Sequence, residues 1–231
     1  MKQSINFLVL IVLTLFPFAI KAQTAEEIIQ QIKIKLDKVN DYEARGKLKT
    51  NVIFIKAPIA NVRIYYKKPN KLKIHNESGI SFIPRGSVNM SLAAVFANSN
   101  AYDIIDAGKE QSSGLRIIKL LPKEDSADIV LSTLYIDEKQ MLIKKAKTTT
   151  KENGTYELEM TYGKYADYGL ADKIIFSFNT KEYKLPKGVT FDYDVGGQKN
   201  KEEQLKNKKG KVEITYSEYI INKGVPDSIF Q

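Results

Sequence analysis

The chain has no cysteine and no tryptophan, and its 231 residues include a single histidine. Without cysteine there can be no disulfide, no thiol nucleophile, no thiolate-bound metal and no lipid anchor on a cysteine behind a leader. With His75 as the only imidazole, a zinc site would have to be built mostly from carboxylates, an unusual donor set. No G-x-S-x-G elbow, P-loop or G-x-G-x-x-G turn occurs. Arginine is scarce too: Arg45, Arg63, Arg85 and Arg116 are the only ones among 36 basic residues. They are scattered and show none of the basic and aromatic interleaving of an RNA-binding surface. No cofactor, metal or nucleic-acid partner is expected.

Long apolar runs are also missing after the first 22 residues. The run that does occur, FLVLIVLTLFPFAI behind MKQSIN, has the length of a signal-peptide core and ends in Ile20-Lys21-Ala22. It is short for a membrane-spanning helix and contains Pro17. Cleavage after Ala22 is expected, leaving residues 23–231 as an exported, periplasmic chain with neither anchor nor transmembrane helix. That remainder holds 34 basic against 27 acidic side chains, a net charge of +7. An exported chain without disulfides depends on its own core. Its length suffices for one large domain, and no repeat or linker divides it.

Directly after the expected cut, Thr24-Ala25-Glu26-Glu27 has the form of a capping box. Ile28, Ile29, Ile32, Leu36 and Val39 follow at helical spacing, which predicts an amphipathic helix ending near Asn40-Asp41. From Tyr42 the period becomes two: Tyr42, Ala44, Leu48, Thr50, Val52 and Phe54 share one parity. YYKKPNKLKI, residues 65–74, reads as a hairpin with Pro69-Asn70 at its bend. Further alternating runs span 115–121, 131–136, 141–149, 155–162, 174–178, 189–193 and 212–220. Turn signals separate them, and no crossover helices do. Many short antiparallel strands argue for a barrel or sandwich. Residues 87–100, SVNMSLAAVFANSN, place Leu92, Val95 and Phe96 at helical spacing and predict a short helix. The lysine-rich 198–211 reads as a charged connection that is either solvated or touches an anionic surface.

Catalytic constellations are sparse. The pairs Asp103 and Asp106, and Asp192 and Asp194, lack EF-hand spacing, and Asp192, Asp194, Glu157 and Glu159 lie on the parity where carboxylates face solvent. His75 lies on the polar parity of its strand, so no enzymatic activity is expected. The opposite parity is uniformly apolar: Tyr156, Leu158, Met160 and Tyr162; Ile174, Phe176 and Phe178; Val189, Phe191 and Tyr193; Val212, Ile214 and Tyr216. These side chains either fill a core or line a space. Two helices are too few to cover a sheet of roughly ten strands, which favours a cavity for an apolar ligand. Each buried methylene of an acyl chain would contribute about 0.8 kcal/mol there.

The junction LDKVNDYEARGKL (36–48) with NVRIYYKKPNKLKIH (61–75) resembles the N-terminal half of periplasmic lipoprotein carriers of the LolA/LolB type. The stretches 134–141, 159–173 and YIINKGVPDSIF (219–230) resemble that family's later strands. The resemblance implies a mainly β fold with α: a half-open antiparallel barrel of roughly 10–12 strands, with the N-terminal helix and a short lid helix over an apolar cavity. It implies a monomeric carrier of lipoprotein acyl chains or another lipid for transfer to the outer membrane. An inner-membrane lipoprotein-releasing transporter and an outer-membrane acceptor would be its partners. An envelope-stress sensor or chaperone-like module on the same fold is the alternative. The cavity candidates are then Ile64, Tyr66, Leu72, Ile74, Leu92, Phe96, Met160, Tyr162, Phe176, Phe178, Phe191 and Tyr193. Where the family's hairpin has Arg before proline as a lid latch, this chain has Lys68, an ammonium in place of a planar fork. A further strand after PKGVTFDYD (186–194) also departs from the family pattern and leaves the order of the last strands open.

Overall fold

The computed structural model describes residues 23–52, 55–56, 59–78, 101–152, 154–179 and 209–231. The leader 1–22, the expected helix 87–100, the expected strand 189–193 and most of the lysine-rich segment 198–211 lie outside them.

Helix α1 (Ala25–Asp37) begins as its sequence dictates. Thr24 Oγ1 accepts from Glu27 N at 3.2 Å, and Glu27 Oε2 accepts from Thr24 N at 3.0 Å. Two orphan donors of the first turn are thereby satisfied, beside the favourable acidic charge of Glu26 and Glu27. Ala25, Ile28, Ile29 and Ile32 are its buried stripe. The helix stops at Asp37, short of the expected Asn40-Asp41. The reason is Asn222, whose side chain accepts from Asn40 N at 2.7 Å and donates to Lys38 O at 2.7 Å. Backbone groups that another helical turn would need are taken by the far end of the chain. Val39 is buried, but beyond the helix.

Among the described residues eleven strands form one antiparallel sheet: β1 (Asp41–Val52), β2 (Ile55–Lys56), β3 (Ala60–Lys67), β4 (Lys71–Ser78), β5 (Tyr102–Lys109), β6 (Arg116–Pro122), β7 (Ile129–Asp137), β8 (Leu142–Thr150), β9 (Gly154–Thr161), β10 (Lys173–Asn179) and β11 (Lys209–Ile221). Their order is β4-β3-β1-β11-β10-β9-β8-β7-β6-β5, with the short β2 beside β1. The sheet curves without closing, so the fold is mainly β, a half-open barrel with α1 packed on its inner face. The last strand is not an edge. It lies at the centre of the described sheet, between β1 and β10, while the expected strand 189–193 falls outside the described residues. Strand β5 was not apparent in the sequence, because Ile105 points outward, Asp106 takes the inner parity opposite Ile118, and a bulge at Ala107-Gly108 (Gly108 φ 81°) follows.

Register aligns the inner parity into continuous rows. One runs Thr50–Val212–Phe176–Leu158–Ala146–Leu134–Ile118, from β1 to β6, and every member is buried. On the outer face cross-strand ion pairs alternate, such as Lys145 with Glu157 at 3.4 Å and Lys173 with Glu213 at 3.0 Å. The sheet bends at bulges, of which the one in β11 matters most. Arg45 faces Glu218 but Gly46 faces Tyr216, so Ser217 is the extra residue. Its hydroxyl donates to Arg45 O at 3.1 Å. Gly46 is required there, since a Cβ would lie 2.7 Å from Thr215 O, a backbone atom that cannot swing aside. Gly46→Ala should therefore destabilise the fold by about 1–3 kcal/mol despite the usual preference for alanine in a strand. Urea unfolding would show this as a lower midpoint with an unchanged slope. An unchanged midpoint would mean that the bulge relaxes.

Candidate functional site

The inner face of the sheet is the one continuous apolar surface among the described residues. Its two flanks carry the residues singled out from the sequence. On one flank Ile64 pairs with Ile74, and Tyr66 with Leu72; on the other, Ile174 pairs with Met160, and Phe178 with Tyr156. Ile64, Tyr66, Met160, Phe176 and Phe178 are buried; Leu72, Ile74 and Tyr162 are half-buried and pack against the core. All eight point inward. Leu92, Phe96, Phe191 and Tyr193 lie outside the described residues.

Aromatic rings concentrate at the end of the sheet where β1 begins. Tyr42 stacks on Tyr66 with centroids 5.2 Å apart and meets Tyr219 edge-on at 5.2 Å. Tyr219 also stacks on Tyr216 at 4.9 Å and meets Tyr165 edge-on at 4.9 Å. Each such contact contributes roughly 0.5–1.5 kcal/mol beyond area burial. The hydroxyls are placed as well: Tyr219 donates to Ala171 O at 2.7 Å and Tyr162 to Ile143 O at 2.8 Å. Burial pushes the phenols of Tyr42, Tyr66, Tyr162, Tyr216 and Tyr219 upward, so they stay neutral donors. Tyr219 was not among the sequence candidates. Strict alternation through β11 would put Glu218 and Ile220 inside; the bulge at Ser217 instead turns Tyr219 and Ile221 inward and leaves Ile220 37% exposed.

Towards the other end the rings thin out. Phe178 lies over Gly210, where a Cβ would come within 2.5 Å of its Cζ, and touches Phe176 at 5.3 Å between centroids. The next row reads Ile104–Leu120–Ser132–Thr148–Tyr156–Phe178–Gly210. Its middle carries the small, buried Ser132 and Thr148, whose hydroxyls lie 2.9 Å apart and partner each other, and its end is covered by the Phe178 ring over Gly210. The C-terminal half of α1 also leaves little room. The recess bounded by Ile32, Leu36, Met141, Ile143 and Tyr162 measures about 10 Å³, enough for one water. Ile174, Ile214, Tyr102 and Ile104 are only half-buried.

Polar groups are few on this face. Among the described strand residues, Arg116 and Asp106 form its notable ion pair, at the β5–β6 margin, with Glu138 3.8 Å from the guanidinium. Glu157 and Glu159 take the outer parity, Asp103 is exposed, and His75 is exposed opposite Arg63. No three His, Asp or Glu side chains among the described residues gather closely enough to hold a metal. No helix among them is long and apolar enough to cross a membrane. Lys68, the expected latch, donates to Asp37 O at 2.8 Å and lies 3.2 Å from Asp37 Oδ1. It fastens the hairpin tip to the end of α1. The segment it was expected to hold, 87–100, is outside the described residues. Lys33 and Lys68 together hold the Asp37 carboxyl below its usual range.

No family model matches the chain, and no curated protein does. Solved structures do match in fold. A LolA superfamily protein from Nitrosomonas europaea superposes with a TM-score of 0.55 at 11% identity, over 91% of this chain and 98% of that one. A DUF1329 family protein from Desulfovibrio piger gives 0.53 at 12% identity, over 90% and 95%. The fold is therefore of the LolA type.

The tyrosine cluster has a measurable consequence. Because folding raises these phenol pKa values above the ordinary value near 10, the protonated form belongs to the native state. The stabilisation is complete below about pH 10 and declines as pH rises beyond it. An alkaline titration should show tyrosinate absorbance from the exposed tyrosines first. Absorbance from the cluster should appear only together with loss of the far-ultraviolet strand signal. Full ionisation with the strand signal intact would contradict the burial described.

Proposed function

We propose that this chain binds acyl chains on the inner face of its half-barrel and carries lipid, or the acyl part of lipoproteins, through the periplasm towards the outer membrane. One observation carries the reading. The inner face is apolar row after row across the sheet, whereas α1 is about 20 Å long and about 10 Å wide against roughly 45 Å of sheet. Leu72, Ile74, Tyr102, Ile104, Ile174 and Ile214 are accordingly only half-buried among the described residues. A wall with so few unpaired polar groups discriminates by length and bulk, not by hydrogen bonding. The likeness to a LolA superfamily fold supports a carrier or binding role over catalysis, as does the outward parity of Glu157 and Glu159.

The same reading takes residues 1–22 as a cleaved leader, 23–231 as one exported, monomeric domain, and a lipoprotein-releasing transporter and an outer-membrane acceptor as its partners. N-terminal sequencing of the exported protein should then begin at Gln23. A start at Met1 would place the chain elsewhere.

Native mass spectrometry of protein purified from its own periplasm should reveal co-purified acylated species. Ile74→Glu sets a charge into the half-buried wall and should weaken a fluorescent acyl probe at least about tenfold, with the thermal midpoint little changed. Bare protein that takes up no probe ends the proposal. A retained polypeptide without lipid would replace it with a chaperone-like role.

A further inference from the structure

The acyl reading leaves the outer side of the opening hairpin unused. Lys67 and Lys71 face each other across β3 and β4, and Lys73 faces Tyr65, all on the outer parity. A single carboxylate bridges the first two: Asp227 Oδ2 lies 3.0 Å from Lys67 Nζ, and its Oδ1 lies 2.7 Å from Lys71 Nζ. Lys73 Nζ donates to Gln231 O at 3.1 Å, and Lys71 Nζ stands 5.9 Å from the Phe230 ring centre.

The segment bearing Asp227 is held in two distinct ways. Residues up to Val225 are built in: Asn222 ties Lys38, Asn40 and Asp41, Gly224 N donates to Asp41 Oδ1 at 2.9 Å, and Val225 is buried. Beyond Pro226 the short 3-10 turn Asp227–Phe230 has no buried residue. Ile229 and Phe230 are half-buried, and Lys67, Lys71 and Lys73 add ion pairs and a hydrogen bond to the turn, in which the Asp227 side chain is 59% exposed. Ion pairs so wet are weak and yield to salt.

We propose that Lys67, Lys71 and Lys73 form a docking surface for an anionic lipid bilayer, which Asp227 occupies as an internal competitor. A carboxylate gripping two ammonium groups with its two oxygens sits as the oxygens of a lipid phosphate would. Residues 65–74 contain four lysines and no acid, and of these Lys68 is already committed to Asp37. The remaining three stand on the outer, convex face of the sheet. Mobile point charges on such a face suit a fluid field of headgroups better than one shaped anion, for which the planar fork of arginine is the better match. Swinging the turn away about Pro226 would leave the hairpin, and the anchored residues 222–225, as they are. This surface lies on the opposite side of the sheet from the acyl-binding face, so either proposal can fail alone.

Co-sedimentation of the exported chain with vesicles tests it. Vesicles of phosphatidylcholine alone should not retain the protein; vesicles one third phosphatidylglycerol should, and high salt should release it. Lys67→Gln, Lys71→Gln and Lys73→Gln together should weaken retention by roughly 100-fold. Removing the same charge at Lys47, Lys49 and Lys119 should have a far smaller effect. Asp227→Asn should strengthen retention severalfold, and none of these variants should alter acyl-probe affinity. Equal retention on neutral vesicles, or a triple hairpin variant that binds like the parent, overturns the proposal. Binding of the hairpin lysines to an acidic polypeptide but not to anionic vesicles would overturn it in favour of a protein partner.

Discussion

The pairing of β1 with β11 is the constraint on which the rest of the structure depends. These are the longest strands, 12 and 13 residues, and they join the first strand of the domain to its last. Each flank of the sheet hangs from one of them, β3 and β4 from β1, and β10 to β5 from β11. The bulge at Ser217 bends this pair while keeping it bonded, and Gly46 makes the close approach sterically possible. Bending here sets the curl of both flanks, because neighbouring strands inherit twist through their ladders.

The same bulge decides how one end of the barrel is sealed. It places Tyr216 and Tyr219 on the same face, three residues apart where unbroken alternation allows two. Tyr219 can then touch Tyr42, Tyr165 and Tyr216 together. Rings with bonded hydroxyls fill the space at that end, and α1 packs tightly beside them. Further along, the inner rows pass through the smaller, buried side chains of Ala146, Ser132 and Thr148, and Phe178 covers Gly210. The inner face thus runs from a cluster of rings at one end to smaller side chains along its middle.

Sealing that end also requires the chain to be knotted together there by polar contacts. Asn222 stops α1, Lys68 draws the hairpin tip to Asp37, and the residues after β11 run back across the hairpin. These groups are largely exposed, so each contributes modestly to stability. Their effect is geometric: helix, hairpin and central strand pair are held in one arrangement, and the apolar inner face is left to do the stabilising.

Much of this was legible in the sequence, since capping chemistry and period-two alternation are local. Thr24 and Glu27 cap the helix as read, the KPN hairpin bends where expected, and the eight described cavity candidates face inward. Where alternation is interrupted, local reading stops working. Strand β5 was obscured by an outward Ile105 and an inward Asp106 ahead of the bulge at Gly108, and Tyr219 was missed because Ser217 shifts the parity of every residue after it. The helix ran too long in the sequence reading because its stop signal, Asn222, lies some 180 residues away. The sequence by itself determined the strand class, the apolar parity and the lysine-rich hairpin, all properties of neighbours along the chain. Only the tertiary structure decided that the last strand lies in the middle, which tyrosines meet, and that Asp227 rests on Lys67 and Lys71. Those outcomes depend on register and bulges between distant strands, which no local pattern encodes.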